Sequence, residues 1–244
     1  MKTFKFLYIA ATALLFAACT NENEGNENPV AATIHAGISQ KVNTRTTVNN
    51  TWIAGEDAIG VYVISGGNTT GDNVKYNAAD ETGTFTSETP IYFKDNQEVT
   101  FSAYYPYNDI LEDFKMNVQM ELVEEKQACK ADVLFASGAT ASKSSPIVRF
   151  EQGDTDNRFK HCMSLIEFKI KPGQGVRYNN YKLNYLNMKG IFITGKFDTK
   201  TGQVEPNGDR TTKDHVFNNI LFESEESFAY IMLPQSLESN KMDV

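Results

Sequence analysis

The chain has 244 residues, 41% hydrophobic and 11% aromatic, with 23 basic against 31 acidic side chains and a formal net charge of −8. That excess of negative charge argues against a nucleic-acid partner or a basic membrane-surface patch, both of which need a positive footprint. The three histidines, His35, His161 and His215, are far apart and in no ligand spacing such as His-Glu-x-x-His, so no metal centre is expected.

The first element is a leader. Lys2 and Lys5 precede thirteen mostly apolar residues, Phe6 to Ala18, and Cys19 follows. The run is short for a bilayer span and has the charged, apolar and small-residue zones of a secretory signal. Its last residues, LFAAC, resemble the lipobox of bacterial lipoproteins, in which cleavage falls between Ala18 and Cys19 and Cys19 carries the acyl chains. Each buried methylene adds about 0.8 kcal/mol, so a multiply acylated Cys19 is a lasting membrane anchor. The Asn/Glu-rich stretch Thr20 to Asn28 lacks apolar residues and reads as a disordered tether, 19–29. Loss of residues 1–18 takes two lysines, leaving 21 basic residues against 31 acidic ones and a mature charge of −10.

From there almost every segment alternates with period two, and helical stripes are missing. Ile34, Ala36, Ile38 and Val42 hold one apolar phase, with Thr33, His35, Ser39 and Lys41 on the other, which predicts a half-buried strand. The polar stretch Asn43 to Asn50 ends it. After Trp52 the expected strands are AIGVYVI (58–64), PIYF (90–93), EVTFSAYY (98–105, broken by Pro106), NVQMELVE (117–124), ADVLFA (131–136) and PIVRFE (146–151). The polar segment GDTDNR (153–158) is a candidate domain boundary. A second series follows: KHCMSLIEFKI (160–170), YKLNYLNMKGIFI (181–193), the hairpin-like GKFDTKTGQVE (195–205), HVFNNILF (215–222) and SFAYIMLP (227–234). Short strands at this spacing, with turn residues between them, predict an all-β chain of antiparallel sandwiches.

Chemistry is hard to find in these residues. The chain holds no Gly-x-Ser-x-Gly elbow, Walker loop or dinucleotide fingerprint, and PGQG (172–175) reads as a turn. Acidic residues are plentiful, but no spacing singles out a glycosidase pair. Asp154, Asp156 and Asn157 could offer oxygens to calcium, yet the Gly and distal Glu of a binding loop are absent and a solvated turn is the simpler account. Tyr104, Tyr105 and Tyr107 could line a sugar-binding face or pack a core. Cys129 and Cys162 could pair as a disulfide in an oxidising compartment, or stay reduced and buried. No cofactor and no enzymatic activity are expected.

Several phrases, taken in order, resemble the fimbrillin-like family of Bacteroidales, the subunits and accessory proteins of protease-assembled pili. They are WIAGEDAIGVY (52–62), VTFSAYYPY (99–107), ADVLFASG (131–138), FKHCMSLIEFKI (159–170), MKGIFITGKFDTKTGQV (188–204) and YIMLPQSL (230–237). The resemblance implies two transthyretin-like β-sandwiches in tandem, here 30–155 and 156–244. It also implies a lipid-anchored precursor at the outer membrane, partnered with other pilus subunits through strand exchange. An arginine-specific protease removes the first strand, and another subunit's strand fills the groove. The matching positions are the strand carrying Ile34, Ala36, Ile38 and Val42, and the bond between Arg45 and Thr46 in the stretch NTRTT. An exposed polar stretch is where proteolysis concentrates, and a lost strand leaves backbone groups that β-augmentation can satisfy.

Two departures from the family pattern carry expectations. Glu56 and Asp57 stand where one acid is usual, so a small bulge is expected between Gly55 and Ile59. The chain stops at Val244, soon after Pro234 and Gln235, so the second sandwich is expected to be short or the sequence a fragment, which favours a tip or accessory subunit over a shaft subunit. The alternative function is a glycan-binding surface lipoprotein of a nutrient-uptake system, suggested by the acidic composition and the cluster at Tyr104, Tyr105 and Tyr107. The receptor stays open on either reading.

Overall fold

A computed structural model describes residues 28–39, 51–66, 71–123, 131–151, 156–171, 173, 182–221 and 225–236. Among them every regular element is a β-strand, so the chain is all-β. The leader, Ala18, Cys19, Val42, Arg45, Thr46 and Cys129 lie outside the described residues.

The N-terminal strands are β1 (Val30–Ala31) and β2 (Thr33–Ala36), followed by β3 (Ala58–Ser65), β4 (Val74–Ala78), β5 (Thr84–Thr86), β6 (Tyr92–Phe93) and β7 (Val99–Tyr105). Next come β8 (Lys115–Gln119), β9 (Glu121–Val123), β10 (Leu134–Ala141), β11 (Ile147–Phe150) and β12 (Lys160–His161). Eight of these form one sheet in the order β11-β2-β5-β4-β3-β7-β10-β12. Most pairs are antiparallel, as the turn-rich sequence predicts, but β2 lies parallel to β11, Ile34 facing Val148 and Ala36 facing Phe150. The two ends of the sheet meet at β2. Phe159, which leads into β12, bridges in parallel to Ile38, just beyond the end of β2.

The central strands β3 and β7 are buried on both faces, which is why their sequences read as near-continuous apolar runs rather than as alternation. Ile59, Val61, Phe101 and Ala103 point into a first core with Ile34, Trp52, Phe85, Phe93, Phe150 and Phe159. Tyr62 and Tyr104 point the other way, into a second core with Val118, Val133, Met163, Phe197, Ile231 and Leu233. The two tyrosine rings stack at 5.9 Å. Gly60 makes room for that layer, since a Cβ there would lie 2.1 Å from a carbon of the Tyr104 ring.

The remaining strands are β13 (Ser164–Ile170), β14 (Lys182–Ile191), β15 (Thr194–Asp198), β16 (Val204–Pro206), β17 (Thr211–Leu221) and β18 (Glu226–Met232). They form sheets ordered β13-β18-β9, β16-β15-β8 and β14-β17. Residues Lys115–Val123 precede the expected boundary at 155, yet they pair with strands that follow it, β8 with β15 and β9 with β18. A third core of Met120, Met188, Ile191, Tyr230 and Met232 joins them. Strands β4 and β5 are absent from the sequence-based expectation. They are short, and each has only two fully buried apolar side chains or fewer to mark its period.

Candidate functional site

The first strand occupies a slot. Thr33 and His35 are half-buried on one face of β2, while Ile34 (0% exposed) and Ala36 (2%) point into the first core, with Ala32 (4%) before them and the partly buried Ile38 after them. Full burial of an isoleucine contributes about 1.5–3 kcal/mol, so Ile34 is the main apolar anchor of this strand. The backbone is held from several sides. Ala32 N–H donates to Ile91 O at 2.8 Å, Thr33 N–H to Pro146 O at 3.1 Å and Ala36 N–H to Gly83 O at 2.8 Å. Gly37 N–H donates to Phe150 O and Ser39 N–H to Phe159 O, both at 2.8 Å.

Two buried side chains complete the grip. The Trp52 indole Nε1–H donates to Ala36 O at 2.6 Å. The Tyr76 hydroxyl donates to Ala32 O at 3.3 Å and accepts Ile91 N–H at 3.0 Å. Burial pushes the Tyr76 hydroxyl pKa up to about 12. Trp52 is fixed edge-on by Phe85 at 5.0 Å, Phe159 at 5.3 Å and Tyr105 at 5.6 Å. Gly83 has a φ of +96°, and a Cβ there would come within 2.2 Å of Ala36 O, so glycine is needed both for the backbone angle and for the close approach. The spacing of the WIAGEDAIGVY phrase gives no sign that its tryptophan reaches back sixteen residues to Ala36. Nor does anything in the sequence mark Tyr76, which stands in a strand that the pattern does not predict.

The extra acid of that phrase is taken up in a turn. Glu56 and Asp57 N–H both donate to Ile53 O, at 3.2 and 3.0 Å, with Gly55 at a φ of +78°. The added residue thus lies before β3 begins and not in a bulge within it. Asp57 carries structure as well: Oδ2 accepts Ile53 N–H at 2.7 Å and Oδ1 accepts the Tyr105 hydroxyl at 2.9 Å.

The other candidate residues are drawn into packing. Tyr104 is fully buried, its hydroxyl donating to Asn73 Oδ1 at 2.7 Å and accepting Asn108 N–H at 3.2 Å. Tyr105 packs on Trp52, and the Tyr107 ring faces Lys75 Nζ at 5.5 Å. These three tyrosines therefore do not share an open face. Burial raises the pKa of both Tyr104 and Tyr105. His35 is half-buried on β2. His161 Nδ1 lies 2.5 Å from Asp132 Oδ2, with both side chains nearly buried. His215 stacks on Phe228 at 4.0 Å with Nδ1 2.9 Å from the Tyr230 hydroxyl, and burial lowers its pKa. Asp156 pairs with Arg158 Nε at 2.9 Å, and that hydrogen bond lowers its pKa. Asn157 Nδ2 donates to Gly138 O at 3.3 Å, while Asp154 lies outside the described residues. Among the described residues no group of three or more acidic, His or Cys side chains could hold a metal ion. Cys162 packs, partly buried, against the second core, and its N–H donates to Val133 O at 2.9 Å.

Comparison with known proteins places this geometry. Two solved structures share the fold, each described as a "putative cell adhesion protein". The one from Bacteroides uniformis is 24% identical, with a TM-score of 0.57 over 85% of this chain and 76% of that one. The one from Bacteroides ovatus is 21% identical, with a TM-score of 0.58 over 86% and 80%. A "Putative fimbrium subunit Fim1C" of Bacteroides uniformis is 37% identical over 123 residues, 46% of this chain and 39% of that protein. This chain therefore matches less than half of that relative's length. A family model described as fimbrillin-like matches residues 44–244, most of the sequence, and the chain belongs to the fimbrillin-like family.

Proposed function

We propose that the protein is a fimbrial subunit exported as a Cys19-anchored lipoprotein and assembled at the cell surface by exchange of its first strand. The observation that carries this reading is the slot. Strand β2 lies between β5 and β11 with its inner face in the first core, and along the chain it is followed by residues 40–50, which contain Arg45. The family match begins at residue 44, so β1 and β2 fall outside the shared region. A cut at Arg45–Thr46 would release the lipid, the tether and the strand together. The open slot would then expose the pairing groups of β5, β11 and Phe159, which an incoming strand satisfies by β-augmentation. The two sandwiches of this reading are 30–155 and 156–244, with Lys115–Val123 lent by the first segment to the sheets of the second. The role is structural and needs no cofactor.

The experiment is limited proteolysis of the full chain with trypsin, followed by N-terminal sequencing, with Arg45→Ala as control. A new terminus at Thr46 in the wild type alone supports the reading. Persistent continuity at Arg45 while other sites are cut would overturn it.

A further inference from the structure

We propose that the β2 slot carries a register lock in which side-chain size sets the register and Trp52 and Tyr76 clamp the backbone, so that the slot admits only a strand whose inward side chains run small, branched, small at alternate positions. The proposal rests on the strand-exchange reading for an incoming strand, and it applies equally to the strand the chain already carries. Backbone pairing alone cannot set register in such a slot. Every residue offers an N–H and a C=O, and a slip of two residues restores the ladder with the same face inward. What breaks the degeneracy is the size of the inward side chains, since Ala32, Ile34 and Ala36 all sit buried in the first core. Trp52 Nε1 holds Ala36 O, and the Tyr76 hydroxyl holds Ala32 O four residues earlier. Both donors are buried, Trp52 at 4% exposure and Tyr76 at 0%, so neither can turn to water if its carbonyl is withdrawn. A donor left unsatisfied in that setting disfavours an unfilled slot by roughly tenfold or more, so the two donors clamp the backbone of whatever strand fills it.

The same two positions require small side chains. Ala32 is 4% and Ala36 2% exposed, and both belong to the first core. In a close-packed core a bulkier residue at either position fits only with strain. Between the two alanines, Ile34 fills the core completely, so a two-residue slip would press a branched side chain into an alanine site and leave a void at its own. Trp52 and Tyr76 both lie after Arg45, so they stay with the body when the strand leaves. The occupant the slot fits is an extended segment with Ala, Gly or Ser at the two locked positions and Ile or Val between them.

The test uses the full chain, wild type, Trp52→Phe and Tyr76→Phe, nicked after Arg45 for incorporation of excess labelled peptide of the sequence 29–39 and uncut for hydrogen exchange. Two further peptides carry Ala36→Leu, at a locked inward position, or His35→Leu, on the outer face. Peptide incorporation is read by native mass spectrometry, and the hold on residues 30–39 by hydrogen exchange. The lock predicts equal incorporation of the native and His35→Leu peptides and at least about tenfold less of the Ala36→Leu peptide. It also predicts about tenfold faster exchange of residues 30–39 in each variant, the second variant serving if the first does not fold. Equal incorporation of the Ala36→Leu peptide, or unchanged exchange in the variants, overturns the lock and leaves strand exchange standing. If no peptide is incorporated while the variants still exchange faster, strand exchange fails and the lock holds for the chain's own strand.

Discussion

Truncating Ile34 to alanine asks whether β2 is a separable strand or simply part of the core. Ile34 is 0% exposed and packs in the first core, so the substitution removes buried carbon and leaves a cavity that a closed sheet fills poorly. Comparable Ile→Ala changes cost about 2–5 kcal/mol, and full burial favours a value of about 3 kcal/mol here. The matched comparator is Ile231→Ala, 3% exposed in the second core. If β2 leaves its slot without global unfolding, Ile34→Ala makes that local opening easier by the whole cost, about a hundredfold in the exchange rate of the Ala36, Gly37 and Ser39 amides. Ile231 packs the same way with β2 in or out. Its truncation should lower the urea midpoint by a similar free energy and leave those three amides unchanged. Hydrogen exchange with mass spectrometry on both variants, beside urea titrations, reads the difference. Equal acceleration in the two variants would mean that β2 opens only with the rest of the molecule, and the argument for a displaceable strand would collapse.

Other perturbations test the surroundings. Gly83→Ala places a Cβ against Ala36 O at a φ of +96°, so it should cost at least about 1–3 kcal/mol in urea unfolding and loosen residues 30–39 first. His161→Ala removes the hydrogen-bond partner of the buried Asp132 Oδ2, an expected loss of about 1–3 kcal/mol by urea titration, whereas Asp132→Asn, which keeps a polar partner, should cost less. Alkali should destabilise the fold. The buried hydroxyls of Tyr76, Tyr104 and Tyr105 hold their protons more tightly in the folded chain than in the unfolded one, whose tyrosines ionise near pH 10. Their contribution is therefore complete below pH 10 and declines as pH rises from there through the folded values. For Tyr76, with a folded value of about 12, the loss is about 2–3 kcal/mol. Urea midpoints from pH 9 to 12 should fall in the wild type and fall less in Tyr76→Phe; parallel curves would refute the assignment.

Period-two alternation was enough to place most of the strands, because on a half-buried strand the side chains themselves record which face meets the core. The runs AIGVYVI and VTFSAYY also announced strands, but their burial on both faces emerged only with the two cores that β3 and β7 separate. Strands β4 and β5 escaped because each is short and turns only one or two large apolar side chains inward, Tyr76 from β4 and Phe85 from β5. The three tyrosines at 104–107 were ambiguous in the sequence, since an aromatic at a strand end looks the same whether it faces sugar or core. Burial of Tyr104 and the Trp52 contact of Tyr105 resolved that ambiguity in favour of packing.

The sequence by itself determined the all-β class, the inward phase Ile34, Ala36, Ile38 and the family to which the phrases belong. These are properties of short windows, where composition and spacing act through nearest neighbours. Only the tertiary structure decided that β2 runs parallel to β11, that Phe159 closes the sheet beyond β2, and that Lys115–Val123 pair with β15 and β18. It also decided that Trp52 and Tyr76 each hold one carbonyl of the first strand. Such contacts join residues far apart along the chain, and their energy comes from which groups the folded core deprives of water, which no local pattern records.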